Sequence, residues 1–207
     1  MKKRSLLFWD LQAKGYSKKP VADEAAYQKK IEKTREYLNL DTEVFEFGCG
    51  TGSTAIRHAP LVKHILAIDG SAKMIEIAQK KADSEKIKNI TFKTETIDAF
   101  SSPKESYDVV LGMNILHLVK NKEEVVSQVH DMLKPGGVFI SSTVCLSNTS
   151  IFFTLLSKVG GIVGLTLRLF TKEELKESIV NAGFEIEHEW QPEGEGIQAV
   201  FIVAKKV

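Results

Sequence analysis

The stretch that decides the fold is Val44-Phe45-Glu46-Phe47-Gly48-Cys49-Gly50-Thr51-Gly52. It begins as a short β-prone run and passes directly into three glycines that alternate with other residues. A helix is expected from Ser53 to Ala59, stopping near Pro60. Glycines between a strand and a helix let the backbone turn tightly and let a ligand approach without a Cβ in the way. The stretch therefore predicts a ligand-binding loop after the first strand of an α/β sheet, with a purely structural turn as the alternative.

An acidic residue follows the second predicted strand. The run from His64 to Ile68 ends at Asp69, and a carboxylate at that position can accept both hydroxyls of a ribose. A nicotinamide dinucleotide would favour G-x-G-x-x-G, but the third glycine position is Ser53. Glu46 stands two residues before the first glycine, and an acid there suits a cationic or amine-bearing ligand better than a pyrophosphate. These features predict a nucleoside site for an amine-bearing cofactor.

Strand-like and helix-like segments alternate on both sides of this loop. Predicted strands are 44–47, 64–68, 90–92, 107–113, 137–144, 184–190 and 198–204, and predicted helices are 53–59, 71–82, 122–133 and 171–181. Ser71 is expected to cap one helix, and Thr171 with Glu174 forms a capping-box pattern. Residues 134–137, Lys-Pro-Gly-Gly, predict a sharp turn. The last two strands have no helix between them and are expected to pair antiparallel.

This pattern predicts one α/β domain over residues 1–207, with residues 1–41 as a partly helical cap. The fold class is Rossmann-like and doubly wound, a seven-stranded sheet that is mostly parallel with one reversed C-terminal strand.

Composition excludes several classes of protein. Lys and Arg total 28 and Asp and Glu total 27, so the chain has no basic footprint for nucleic acid. The apolar run after Met1–Arg4 is too short for a signal peptide, and no run is long enough to span a membrane. Cys49 and Cys145 lie far apart without metal-ligand spacing, which predicts neither a disulfide nor a metal site. We therefore expect a cytoplasmic protein.

The ordered set of motifs resembles the class I S-adenosylmethionine-dependent methyltransferases, of the small, ubiquinone-biosynthesis-like type. The matching stretches are 46–52, 68–71 with Met74, Ile75 and Ala78, 107–110 with 114–118, and 133–137. The resemblance implies S-adenosyl-L-methionine as cofactor and a small-molecule acceptor. It implies that the cofactor is bound by Tyr16, Glu46, Gly48, Cys49, Gly50, Gly52, Asp69, Gly70, Met74, Thr96, Ile97, Asn114 and Ile115.

The resemblance also assigns individual roles. Glu46 would lie near the amino group of the cofactor, Asp69 would bind its ribose, and Tyr16 would fold over it. Thr96 occupies the position after strand three where the family often has an acid that contacts adenine. Asp98 is the alternative at that position if the loop shifts by two residues.

His117 is the candidate catalytic base, because it follows strand four near the expected methyl group. The alternative is that this histidine only packs the loop. The sequence Gly112-Met113-Asn114-Ile115 lacks the D/N-P-P-Y/F pattern of enzymes that methylate amino groups of nucleic acids, which argues against DNA or RNA as substrate.

Residues 145–170 are rich in apolar side chains and contain Gly160, Gly161 and Gly164. We expect either a lid over a hydrophobic acceptor or a core helix followed by a loop, with membrane contact less favoured. The sequence leaves three functions open: methyl transfer, which the motifs favour, non-catalytic binding of S-adenosylmethionine, and nicotinamide-dependent oxidation, which Ser53 disfavours.

Overall fold

A seven-stranded sheet forms the centre of the computed structural model, which describes residues 3–145, 168, 170–192 and 198–207. The strands lie in the order β3-β2-β1-β4-β5-β7-β6. Their bounds are β1 Glu43–Phe47, β2 His64–Asp69, β3 Ile90–Thr94, β4 Tyr107–Met113, β5 Leu133–Cys145, β6 Phe184–Trp190 and β7 Gln198–Lys206. Strands β1 to β5 run parallel, and β7 pairs antiparallel with both β5 and β6. The predicted sheet with one reversed strand near its end is confirmed.

Helices cover both faces of this sheet. They are α1 Lys3–Tyr16, α2 Glu24–Arg35, α3 Ser53–His58, α4 Ala72–Ser84, α5 Lys122–Met132 and α6 Lys172–Asn181. Neighbouring residues of β1 point to opposite faces, so Val44 packs in one buried cluster with Ala55 of α3, while Phe45 packs in the other with Val126 of α5 and Leu175 of α6. The doubly wound arrangement follows because central strands such as β1 and β4 are buried on both sides.

Side-chain caps fix the starts of two helices where the sequence predicts them. The Ser71 hydroxyl accepts a hydrogen bond from the backbone N–H of Met74. Thr171 and Glu174 form a reciprocal capping box, in which each side chain bonds the backbone N–H of the other residue. These caps satisfy backbone donors that have no partner within the helix.

The predicted turn at residues 134–137 lies inside a strand. Tyr107 pairs with Leu133 and Val109 pairs with Val138, so the residues between them bulge out of β5 before pairing resumes. Gly136 takes a left-handed φ of +73°, and the Lys134 ammonium lies 2.8 Å from the Asp108 carboxylate. The strand therefore begins at Leu133 rather than at Gly137, since pairing with β4 continues on both sides of the bulge.

The N-terminal segment supplies two helices, of which α1 rests on the start of α4. Asp10 accepts hydrogen bonds from the Ser71 hydroxyl at 2.6 Å and from the Lys73 backbone N–H at 3.1 Å. Leu6 packs closely against Gly70, since a Cβ added to Gly70 would lie only 2.5 Å from Cδ2 of Leu6. These contacts place α1 beside the carboxyl end of β2.

The segment predicted to form a lid, residues 145–170, lies outside the described residues except for Cys145, Arg168 and Phe170, and the lid stays a prediction. Within the described ranges, none of the helices is both long and apolar enough to cross a membrane.

Candidate functional site

A cavity of about 830 Å³ opens beyond the carboxyl ends of the parallel strands. Its wall includes Glu46 of β1, Asp69 of β2 and Asn114, which follows β4. Strand β1 lies between β2 and β4, so the strand order reverses at this point. Open α/β sheets bind ligands at such a switch point, because the loops that leave neighbouring strands there diverge to opposite faces.

The glycine loop forms one side of the cavity. Gly48, Gly50 and Gly52 have left-handed φ values of +67°, +54° and +73°. A Cβ on Gly48 would lie 2.5 Å from Cγ1 of Ile115, whereas a Cβ on Gly50 would meet no atom within 4 Å. Gly48 is therefore required by packing as well as by its backbone, while Gly50 leaves open space for a ligand.

Gly52 has a different position from the other two glycines. It caps the start of α3 and is absent from the cavity wall formed by the described residues. A Cβ there would lie 2.8 Å from Cβ of Ala78. Gly52 is thus placed to let α3 and α4 approach each other, and its predicted contact with a cofactor stays a prediction.

Asp69 joins the loops after β1 and β2. Its two carboxylate oxygens accept hydrogen bonds from the backbone N–H of Gly50 at 2.9 Å and of Ser71 at 2.8 Å. Burial raises the pKa of this carboxyl, and the two backbone donors oppose that shift. Each oxygen keeps a lone pair that is free for a further donor. The carboxylate is therefore held in position at the cavity wall and is able to accept hydroxyl groups of a ligand.

Glu46 is the most unusual group in the cavity. Its side chain is only 2% exposed, and its Oε2 atom has no hydrogen-bond partner in the described part of the chain. Burial and, secondly, the charge of Asp69 raise the pKa of Glu46 to about 8. A buried carboxylate without a partner is costly, so the site favours a ligand that brings a positive charge or N–H donors to this point.

The loop after β3 contributes three residues to the wall, Glu95, Thr96 and Ile97. Thr96 and Ile97 were predicted. Asp98, the alternative to Thr96, is exposed and is not part of the wall. The sequence analysis did not predict Glu95 as a site residue. An acid directly after a strand, at the carboxyl edge of the sheet, could have indicated it. Its backbone N–H donates to the Asp69 carbonyl at 3.0 Å, which brings this loop against the acid-bearing end of β2.

The far side of the cavity is built by the ends of β4 and β5. Asn114 has a left-handed φ of +54°, which asparagine tolerates better than most residues. Its backbone N–H donates to the Ser142 carbonyl at 2.6 Å. Ile115 follows it and packs against Gly48. This geometry connects the end of β4 to the glycine loop on one side and to β5 on the other.

Helix α2 contributes residues that the sequence alone did not indicate as part of a site. Tyr27 and Lys30 line the cavity, and the Lys30 ammonium donates to the Ser142 hydroxyl at 2.9 Å. Their spacing of three residues places both side chains on one face of the helix. This spacing is the feature of the sequence that could have indicated their shared position. From α1, Trp9 and Tyr16 also line the cavity, in edge-to-face contact at 6.2 Å.

His117 lies behind the wall. It is buried in a short 3₁₀ turn, Leu116–Leu118, and is not among the described residues that line the cavity. Burial lowers the pKa of His117 to about 4, so its imidazole is neutral at pH 7. A general base must reach the proton that it removes, directly or through one water. The catalytic role of His117 stays a prediction.

The two thiols have environments that suppress reactivity. Cys49 lines the cavity, and burial raises its pKa well above the usual value. Burial also raises the pKa of Cys145, to about 12. Since the thiolate is the reactive form, both sulfurs are poor nucleophiles at neutral pH. No cluster of three or more His, Cys, Asp or Glu that could hold a metal ion occurs among residues 3–145, 168, 170–192 and 198–207.

The remaining predicted residues, Tyr16, Gly70 and Met74, also line the cavity. Of the thirteen positions predicted to bind the cofactor, twelve line this cavity, and Gly52 does not. The structure adds α2 and Glu95, which lie next to them.

Comparison with known proteins gives matches over most of the chain. The family model for the methyltransferase domain matches residues 38–195. The uncharacterized methyltransferase YcgJ of Bacillus subtilis is 27% identical over 108 residues, 52% of this chain, and the ubiquinone biosynthesis O-methyltransferase of Chelativorans sp. is 29% identical over 101 residues, 49% of this chain. The chain spans only 42% and 40% of the length of these two curated relatives.

A solved structure agrees with the same fold. The crystal structure of an S-adenosylmethionine dependent methyltransferase from Mesorhizobium loti superimposes with a TM-score of 0.74 and 19% identity, covering 88% of this chain and 98% of the other.

Proposed function

The chain belongs to the methyltransferase-domain family, and from this premise we propose that it transfers a methyl group from S-adenosylmethionine to a small acceptor molecule. The observation that carries the proposal is Glu46, whose buried Oε2 atom has no hydrogen-bond partner in the described structure, on the wall of a cavity at the switch point of the sheet. An α-ammonium group is the kind of ligand group that such a carboxylate stabilises.

The other walls fit the remaining parts of this cofactor. Asp69 would accept the ribose hydroxyls, because its carboxylate is already oriented by two backbone N–H groups. Met74 and Ile97 supply apolar surface for the adenine ring, and Gly50 leaves room for the methionine part. The cofactor supplies a methyl group on a positively charged sulfur, ready for in-line displacement.

Charge also favours this cofactor over a nicotinamide dinucleotide. Glu46 and Asp69 lie close enough that the charge of Asp69 raises the pKa of Glu46. A cationic ligand group would stabilise the ionised form of Glu46 beside Asp69, whereas a pyrophosphate would bring further negative charge next to these acids.

The protein's part in the reaction is to bind, align and exclude water. Methyl transfer needs the acceptor atom, the methyl carbon and the sulfur in line, and positioning of this kind supplies much of the rate enhancement. Tyr16, Trp9 and the residues at the end of β4 all line the cavity, which limits the directions from which an acceptor can approach. A base is needed only for an acceptor that must lose a proton, and His117 is the candidate for that role.

Two measurements test the proposal. Calorimetric titration with S-adenosylhomocysteine is expected to show binding, and titration with NAD is expected to show none. Tight NAD binding without a response to S-adenosylhomocysteine would refute the proposed cofactor. Incubation with methyl-labelled S-adenosylmethionine and cell extract then separates an enzyme from a non-catalytic binding protein, because only an enzyme transfers the label to a product.

A further inference from the structure

Helix α1 exposes two leucines on the side that faces away from the rest of the protein. Leu7 is 59% exposed and Leu11 is 74% exposed. They lie one turn apart, so their side chains are neighbours on one stripe of the helix. The opposite stripe packs on the protein, where Ser5 and Ala13 are buried. Single exposed leucines are common on protein surfaces, but these two form one continuous apolar stripe.

Basic residues extend this stripe toward the C-terminal end of α1. Lys14 follows Leu7 by seven residues, about two helical turns, so both lie on the same side of the helix. Lys18 follows Lys14 by four residues, in the turn directly after α1. Both lysines are exposed. The four residues Leu7, Leu11, Lys14 and Lys18 are called the α1 surface below.

The charge of the chain is unevenly distributed in favour of this segment. Residues 3–19 contain five Lys or Arg and one Asp, whereas the whole chain has 28 Lys and Arg against 27 Asp and Glu. The one acid, Asp10, accepts hydrogen bonds from the Ser71 hydroxyl and the Lys73 backbone N–H at the start of α4. Positive charge is therefore concentrated around the exposed leucines, in a chain that is slightly acidic elsewhere.

This charge discriminates between the partners that could cover the leucines. A second copy of the chain would bring the same cationic surface to a symmetric contact, and like charges oppose such a contact. Residues 146–167 are apolar, but their one charged residue is Lys158, so they offer no complementary charge. An anionic lipid surface provides both complements, because leucines enter the boundary of the acyl chains while lysine ammonium groups reach the phosphates.

We propose that the α1 surface binds an anionic lipid membrane, with α1 lying along the plane of the headgroups. The contact is peripheral and reversible, since two leucines and a few lysines bind far more weakly than a spanning helix. Trp9 and Tyr16 of the same helix line the cavity, so the helix that contacts the lipid also borders the candidate site. The inference goes beyond methyl transfer and does not depend on it.

Co-sedimentation with lipid vesicles tests the inference on the full chain. One set of vesicles is pure phosphatidylcholine, and the other is equal parts of phosphatidylcholine and phosphatidylglycerol. The wild type is compared with the double variant Leu7→Ser and Leu11→Ser, which removes the apolar groups, and with the double variant Lys14→Gln and Lys18→Gln, which removes the charges. Circular dichroism verifies that each protein is folded.

Matched controls make the same changes elsewhere on the surface. Leu40→Ser with Val180→Ser replaces two apolar side chains that are 73% and 54% exposed. Lys88→Gln with Lys120→Gln removes two exposed lysines and so changes the net charge equally. Sedimentation velocity without lipid measures the oligomeric state of the wild type and of the leucine variant.

We expect the wild type to bind the vesicles that contain phosphatidylglycerol roughly ten-fold or more tightly than pure phosphatidylcholine, and added salt to weaken this binding. The leucine variant should bind the anionic vesicles roughly ten-fold or more weakly, because its apolar groups no longer enter the lipid. The lysine variant should lose roughly ten- to thirty-fold, since each lysine near an anionic surface contributes about five-fold. Both control variants should bind like the wild type.

Four results would overturn the inference. The first is no binding of the anionic vesicles by the wild type, and the second is equal binding of both kinds of vesicle. The third is an equal loss of binding in the folded control variants, which would show that the α1 surface has no special part. The fourth is a wild-type dimer that the leucine variant converts to a monomer, which would show that a second copy covers the leucines.

Discussion

Replacing Glu46 with glutamine is expected to make the free protein more stable and the cofactor complex weaker. The pKa of Glu46 rises from 4.5 to about 8 in the folded chain. Because its pKa is raised, protonated Glu46 makes its full contribution to the stability of the folded protein below about pH 4.5. This contribution is lost as the pH rises through about 8. At pH 7 the loss corresponds to about 3 kcal/mol, and at pH 8 to about 4 kcal/mol. Glutamine has nearly the same shape and does not ionise.

Urea unfolding measures this effect directly. The free energy of unfolding of Glu46→Gln should exceed that of the wild type by about 3 kcal/mol near pH 7, and the two should converge near pH 4.5. Glu124→Gln on α5 is the control, because this side chain is exposed and lies outside the cavity, so no comparable gain in stability is expected. Equal or lower stability of Glu46→Gln near pH 8 would refute the reasoning.

Ligand binding tests the role of the Glu46 carboxylate independently of protein stability. Affinity of Glu46→Gln for S-adenosylhomocysteine should fall roughly ten- to hundred-fold, since a charge-assisted hydrogen bond is lost. The wild-type carboxyl is mostly protonated at pH 7, so pairing with the ligand's ammonium should release about 0.9 proton per ligand. Calorimetry in two buffers of different ionisation enthalpy counts this proton. Full affinity in the variant, or no proton release by the wild type, would show that Glu46 is not the ammonium partner.

Three further outcomes are expected. Asp69→Asn should weaken binding of S-adenosylhomocysteine by roughly ten-fold or more in calorimetry, while circular dichroism shows that the protein stays folded. Asparagine is preferred to alanine because Asp69 also accepts hydrogen bonds from two backbone N–H groups. In urea unfolding, Gly48→Ala should lose more stability than Gly50→Ala, because both incur about 1–2 kcal/mol of left-handed strain but only the first meets Ile115. His58 has its pKa lowered to about 4 by burial, so the wild type should lose up to about 3 kcal/mol as the pH falls from 6.5 to 4, and His58→Leu should lose less over that range.

Much of the fold was predictable because its signals are local. The strands β1 to β5, the caps at Ser71 and Thr171 and the alternation of strand and helix each depend on residues within a few positions of one another. The bulge in β5 was not predictable in this way, since residues 134–137 look like a turn until the pairing of β4 on both sides is known.

The same distinction between local signals and long-range contacts applies to the candidate site. The sequence by itself determined the glycine loop and Asp69, because motifs that follow consecutive parallel strands must meet at one edge of a sheet. Only the tertiary structure decided that Lys30 faces this cavity, through a contact with Ser142 that lies 112 residues away. It also decided that the Oε2 atom of Glu46 is buried without a hydrogen-bond partner among the described residues and that His117 lies behind the wall. Burial and distance between remote segments depend on how helices pack on the sheet, and no local pattern encodes that packing.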